Sequence, residues 1–154
     1  MKLAEALLER KSLKEQSNTL KERALRDARV QEGDEPSEMP EELFMQLGIL
    51  AGRLEKLIVS INKTNNSAAL PDSITVMEAI AKRDMLKMRY QAATDLANAA
   101  TSERDTWRVT RSEVKSRPTI DIAKWRKKVD ALAKEYRELD NKIQAANWTI
   151  DLSE

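Results

Sequence analysis

The chain has 154 residues, of which 34% are charged and 41% hydrophobic, with three glycines and four prolines. This composition is poor in helix breakers and predicts a single domain, residues 1–154, built from long α-helices. The chain has no cysteine and no histidine, which excludes disulfides, thiolate metal sites and catalysis by a thiol or an imidazole.

The first predicted helix covers residues 3–29 and carries a thin apolar face, formed by Leu3, Ala6, Leu13, Leu20 and Ala24. Such a face is stable only against partners. The segment 31–40 contains Gly33, Pro36 and Pro40 among acidic residues and predicts a turn, with Pro40 in the first turn of the next helix.

The second predicted helix, residues 41–61, has two apolar stripes. The stronger is a coiled-coil-like seam with gaps alternating between four and three, formed by Leu43, Leu47, Leu50, Leu54, Leu57 and Ile61. Phe44, Ala51 and Ile58 form a second stripe at a spacing of seven. A helix with two stripes contacts more than one neighbour, which predicts a homo-oligomer. The asparagines from Asn62 onward predict the helix end.

The third predicted helix, residues 75–101, carries an alanine-rich inner face made of Val76, Ala79, Ile80, Leu86, Tyr90, Ala93, Ala97 and Ala100. Arg83 and Asp84 lie near this face and predict an ion pair that fixes the register of the helix. A buried polar site is the alternative interpretation of these two side chains.

Residues 102–120 predict an extended arm, with a short β-hairpin as the alternative, because Pro118 disfavours a helical Arg117. Trp107, Val109 and Arg111 are candidate interface residues, with Trp107 as the apolar anchor on another subunit. The stretch 104–128 holds nine basic residues. Solvated surface is one interpretation of these charges, and a nucleic-acid surface is the alternative.

The fourth predicted helix covers residues 121–146, with Asp121 as its N-cap and a regular seam of Ile122, Trp125, Val129, Leu132, Tyr136, Leu139, Ile143 and Ala146. Asn147 is expected to stop the helix. In the extended tail 147–154, Trp148, Ile150 and Leu152 then point to one side. These three are candidate interface residues, and Trp148 is expected to be buried against the bundle or a neighbouring subunit, with Thr149 and Asp151 facing outward.

Together these elements predict an all-α fold, an antiparallel bundle of four long helices with coiled-coil-like seams. The longest uncharged stretch, residues 43–52, is about half of a membrane span, and Glu5 and Glu9 interrupt any secretory signal. The expectation is a cytoplasmic, non-enzymatic structural or protein-interaction protein that assembles as a homo-oligomer. No cofactor, metal or small-molecule substrate is expected, because no phosphate loop, triad or metal spacing is present.

Four local strings, together with the helical frame between them, resemble one family: VQEGDEP (30–36), INKTN (61–65), RPTIDI (117–122) and IQAANWTIDL (143–152). They are similar to the septicolysin-like family of small bacterial proteins. The family name implies a cytolytic toxin, so the resemblance adds a membrane-active cytolysin as a further alternative function. The motifs are caps and loops, and the resemblance implies no catalytic residues.

Overall fold

A computed structural model describes residues 1–101 and 117–153. Its four helices are α1 (Leu3–Arg26), α2 (Pro40–Ser67), α3 (Val76–Thr101) and α4 (Ile122–Thr149). The described residues form no β-sheet and contain only two isolated bridges, between Lys2 and Asp151 and between Ala69 and Thr75. The prediction of an all-α helical bundle is therefore confirmed.

The chain divides into two compact units. Unit 1 contains Met1–Val76 and Gln144–Glu154, and unit 2 contains Met77–Ile143. The expectation of a single domain stays a prediction.

In unit 1, α1 and α2 form an antiparallel pair. Glu9 near the start of α1 forms an ion pair with Arg53 of α2, with 3.2 Å between the charged atoms. Near the other end of α1, the Arg23 guanidinium donates through Nε to Glu38, just before α2, at 2.8 Å. The predicted thin face of α1 is confirmed, because Leu3, Ala6, Leu13 and Leu20 are buried.

The connection between α1 and α2 explains why α1 ends at Arg26 rather than at residue 29. The Asp27 carboxylate accepts hydrogen bonds from the Ser37 hydroxyl at 3.0 Å and from the Glu38 backbone N–H at 3.1 Å. These bonds hold the returning chain against the C-terminus of α1. Met39 is the N-cap of α2 and Pro40 its first residue, as the proline preference for the first turn predicts.

Helix α2 continues to Ser67, so the prediction that it ends near Ile61 is wrong. Ile61 and Thr64 both face the interior and are buried, which favours a further turn and a half of helix. The Thr64 hydroxyl donates to the Ser60 carbonyl at 2.8 Å, so the polar side chain is satisfied without breaking the helix. The chain then turns before α3, with Val76 N–H bonded to the Ala68 carbonyl at 2.9 Å.

The two ends of the chain are joined in unit 1. Leu3 N–H donates to the Ile150 carbonyl and Leu152 N–H to the Met1 carbonyl, both at 2.9 Å. The Lys2 ammonium lies 2.8 Å from the Asp151 carboxylate. The Ser153 N–H donates to the buried Thr64 hydroxyl at 2.9 Å. The tail is therefore docked by backbone hydrogen bonds as well as by side chains.

The details of the predicted tail need correction. Asn147 is buried and does not end α4, which continues through Thr149. Because Trp148 is still helical, it lies about 140° around the axis from the buried Ile143, and its side chain is 59% exposed. Its predicted burial against the bundle is wrong, whereas a contact with a neighbouring subunit stays a prediction. Thr149 and Asp151 are exposed, as predicted.

In unit 2, α3 and α4 form a second antiparallel pair. The Trp125 indole N–H donates to the Ala93 carbonyl at 2.9 Å, and Arg83 donates to Asp140 at 3.3 Å. Every residue of the predicted inner face of α3 and of the predicted seam of α4 is buried or half-buried. Asp121 is confirmed as a capping residue, because its carboxylate accepts the Lys124 N–H at 3.0 Å.

Candidate interaction surfaces

The first candidate surface is the outer side of α2. Its inner seam packs in unit 1, with Leu43 and Ile61 buried and the four leucines between them half-buried. On the opposite side Met45 and Ile49 are 64% and 68% exposed, and Phe44, about 100° around the helix from Leu43, is 72% exposed. We refer to the outer side from residue 42 to residue 59 as the α2 outer face.

The sequence of α2 explains this exposure. Residues 43–52 contain no charged side chain and one polar side chain, Gln46, so this part of the helix is largely apolar around its circumference. A helix that is apolar on all sides is normally buried on all sides. The neighbouring α1 covers only one of them.

A groove between α1 and α2 adjoins the α2 outer face. It is open, has a volume of about 530 Å³, and includes Leu20, Arg23, Gln46, Ile49 and Leu50 in its lining. Ile49 therefore belongs both to the groove and to the exposed face, which makes the two one continuous apolar region.

The second candidate surface lies on α3 in unit 2. Seven exposed apolar residues follow one line along this helix: Met77, Ala81, Met85, Met88, Ala92, Leu96 and Ala99. Members of this methionine stripe recur every eleven residues, at 77 and 88, 81 and 92, 85 and 96, and 88 and 99. An eleven-residue repeat keeps side chains on one side of a helix over many turns. The stripe is thus a second seam, opposite the buried face of α3.

Four methionines lie on these two surfaces, Met45 on the α2 outer face and Met77, Met85 and Met88 on the stripe. The chain has six methionines, and every one of them is among the exposed large hydrophobic residues. Methionine adapts its shape to a partner and is frequent at protein-binding surfaces. The sequence contains a signal for each surface. For the α2 outer face it is the uncharged stretch 43–52, and for α3 it is the eleven-residue spacing of methionine and alanine. The inner face of α3 uses other alanines, Ala79, Ala93, Ala97 and Ala100, so the stripe is a separate signal.

The strongest polar cluster of the described residues is structural. Arg83 is half-buried and donates to Asp84 at 2.8 Å and to Asp140 at 3.3 Å. Desolvation lowers the pKa of Arg83, but the hydrogen bonds and charges of Asp84 and Asp140 outweigh it and raise this pKa. The guanidinium therefore stays charged and ties α3 to α4, which confirms the predicted ion pair with Asp84.

Within residues 1–101 and 117–153, no group of three or more acidic side chains is arranged to hold a metal ion. In the same part of the chain, every buried side-chain nitrogen and oxygen atom has a hydrogen-bond partner. The buried polar side chains of the described residues are thus already engaged in the fold.

Of the six interface residues expected from the sequence, the structure describes only the three in the tail, Trp148, Ile150 and Leu152. Trp107, Val109 and Arg111, like the rest of the arm from 102 to 116, lie outside the described residues. Trp148 is exposed at the end of α4, while Ile150 and Leu152 are half-buried in the tail. Of these three, only Trp148 presents a large apolar surface to a partner.

The basic stretch is described only from Arg117 onward. Arg117, Lys124, Arg126, Lys127 and Lys128 are all exposed. The Lys128 ammonium lies 4.5 Å from the centre of the Trp125 ring, within the range of a cation–π interaction. Four of these exposed bases lie in the first two turns of α4, and Arg117 precedes the helix.

Across the described ranges, no helix combines the length and the apolar character needed to cross a bilayer.

The chain is similar in sequence and structure to one solved protein. A crystal structure of a functionally unknown conserved protein from Corynebacterium diphtheriae shares 40% sequence identity with it, with a TM-score of 0.91 and coverage of 99% of each chain. No protein with a curated function matches. A family model described as a family of unknown function (DUF6847) matches residues 10–152. The chain therefore belongs to the DUF6847 family.

Proposed function

We propose that this protein is a non-catalytic structural or interaction protein that assembles with copies of itself. The α2 outer face carries the proposal. Met45 and Ile49 are exposed there, on a helix segment without any charge. Exposed apolar surface of this kind marks interaction sites, because leaving it in water is unfavourable and invites non-specific association.

The chemistry of the side chains supports a non-catalytic role. The sequence contains neither histidine nor cysteine, the two residue types most often used as general base and as strong nucleophile near neutral pH. The half-buried charge of Arg83 is engaged by Asp84 and Asp140. The buried hydroxyl of Thr64 is used to dock the tail.

Binding of nucleic acid is a second candidate, favoured by the exposed bases at the start of α4. The septicolysin-like resemblance adds a cytolysin as a third. A gel shift with single-stranded and double-stranded DNA at several salt concentrations tests the second candidate, because phosphate contacts weaken steeply with salt. Release of dye from liposomes tests the third. We expect neither effect at micromolar protein.

Self-assembly is tested by the molar mass in solution. Light scattering on a size-exclusion column, at micromolar concentration, is expected to give at least twice the chain mass of 17.5 kDa. Ile49→Glu places a charge in the centre of the α2 outer face and is expected to yield the single-chain mass with unchanged helix content. A wild-type particle of 17.5 kDa across the whole concentration range would contradict the proposal.

A further inference from the structure

The α2 outer face has its own regular pattern. Exposed or half-exposed residues recur there with gaps of 3, 4, 3, 4 and 3, as Glu42, Met45, Ile49, Gly52, Lys56 and Val59. Alternating gaps of three and four are the spacing at which one helix packs lengthwise against another. Helix α2 thus has two seams, and only the inner one is covered by its own chain.

Two glycines leave the backbone open on this side of the helix. Gly48 and Gly52 are one turn apart, and a Cβ atom built at either would meet nothing within 4 Å. Glycine in a helix interior lowers helix stability relative to alanine, and the chain itself gives no steric reason for it here. A second helix that approaches the backbone closely at Gly52 does give such a reason.

The charges on the seam identify the partner. Glu42 lies seven residues before Ile49 and Lys56 seven residues after it. In the part of the chain that the structure describes, neither charge forms an ion pair. A second α2 in antiparallel orientation places Glu42 of each copy against Lys56 of the other. A parallel α2 would instead align like charges.

We propose that α2 pairs with α2 of a second copy in an antiparallel, two-fold contact centred on Ile49, with two Glu42–Lys56 ion pairs at its ends. The inference rests on the proposed self-assembly and specifies its partner surface. A two-fold contact uses the same surface on both copies and closes on itself. The assembly unit is therefore a dimer rather than an open chain of subunits.

Charge reversal tests the pairing. Glu42→Lys and Lys56→Glu each place like charges in contact twice in the dimer, and each is expected to raise the dimer dissociation constant at least tenfold. The double variant exchanges the charges and is expected to recover most of the wild-type affinity. Glu55→Lys is the matched control, because this neighbour of Lys56 is about 100° away around the helix and is expected to leave the affinity unchanged.

Single introduced cysteines test the orientation of the two α2 helices. The chain has no cysteine of its own, so no other disulfide can form. In an antiparallel pair, Glu42→Cys in one copy faces Lys56→Cys in the other. An oxidised mixture of these two variants is expected to form a disulfide-linked heterodimer. Either variant alone is expected to stay unlinked, since positions 42 and 56 are about 21 Å apart along the helix.

The outcomes separate the two proposals. A wild-type protein of single-chain mass overturns self-assembly itself, and the antiparallel α2 contact with it. Two outcomes overturn only the antiparallel α2 contact. In one, the wild type is an oligomer and neither charge reversal changes its mass. In the other, each single-cysteine variant forms a disulfide with a second copy of itself. Helix content, measured by circular dichroism on every variant, identifies any that fails to fold.

Discussion

Trp125 and Trp148 belong to the same helix but lie in different environments. Trp125 is half-buried, donates its indole N–H to the Ala93 carbonyl and carries Lys128 over its ring. Trp148 is 59% exposed near the C-terminus of α4. A tryptophan contributes to stability mainly through the area that it removes from water and the partners that it finds for its N–H.

Alanine substitutions at these two positions are expected to differ. Trp125→Ala removes packing and the bond to Ala93, and is expected to lower the free energy of unfolding by about 3 kcal/mol. Trp148→Ala is expected to cost less than about 1 kcal/mol. Urea unfolding at a concentration where the protein is a single species measures both. Equal costs would contradict the exposed position of Trp148. A change of mass in Trp148→Ala alone would place this ring at a subunit contact.

A single hydroxyl connects α2 to the C-terminal tail. Thr64 is buried, donates to the Ser60 carbonyl and accepts the Ser153 N–H. Thr64→Val keeps the shape but removes the acceptor, so we expect a loss of about 1–3 kcal/mol in unfolding free energy. Thr19→Val is the control, because the exposed Thr19 hydroxyl only donates to the Glu15 carbonyl. Similar losses in both variants would show that Thr64 does not hold the tail.

At the scale of elements, the joined chain ends predict an acid-sensitive contact. The hydrogen bond from Lys2 and its positive charge lower the pKa of the Asp151 carboxyl. A carboxyl whose pKa is lower in the folded state stabilises the fold fully above its unfolded pKa, and this contribution is lost as pH falls through the folded pKa. The contact between the ends is therefore expected to weaken as pH falls below about 4.

Hydrogen exchange at the Leu152 and Leu3 amides measures this effect, because both amides bond across the joined ends. Their protection is expected to decrease below about pH 4 in the wild type, after correction for the intrinsic exchange rate. In Asp151→Asn, which cannot titrate, protection is expected to be lower at neutral pH and to change less with acid. An identical pH profile in both proteins would show that the Lys2–Asp151 ion pair does not hold the ends together.

The helices show which parts of the fold the sequence predicts. The seams of α3 and α4 are regular in apolar residues, and burial follows the spacing residue by residue. The ends of α2 and α4 were less predictable, because Asn62–Asn66 and Asn147 carry a local preference for turns. Tertiary contacts override that preference, since Thr64 and Asn147 face the interior and their polar atoms have hydrogen-bond partners there. When the partner of a polar side chain is distant in the sequence, a local sequence pattern does not identify that partner.

At the scale of the whole molecule, both compact units present an exposed apolar helix face, the α2 outer face in unit 1 and the methionine stripe in unit 2. A sequence pattern identifies apolar positions but does not tell which side of a helix its own chain covers. For that reason the homo-oligomer was predicted from the two stripes of α2, whereas the residues proposed for the contact emerged only with the exposure of Met45 and Ile49. The stripe on α3 offers a further surface of the same kind.

Oxidation of methionines tests most directly whether a second copy covers the α2 outer face. All six methionines are exposed in the single chain, so each reports on its own surface when dilute peroxide converts it to the sulfoxide. In the wild type, Met45 is expected to oxidise several-fold more slowly than Met85 and Met88, and in the dissociated Ile49→Glu variant all three are expected to oxidise at similar rates. If Met45 oxidises as fast in the wild type as in that variant, the α2 outer face is open and the account is contradicted.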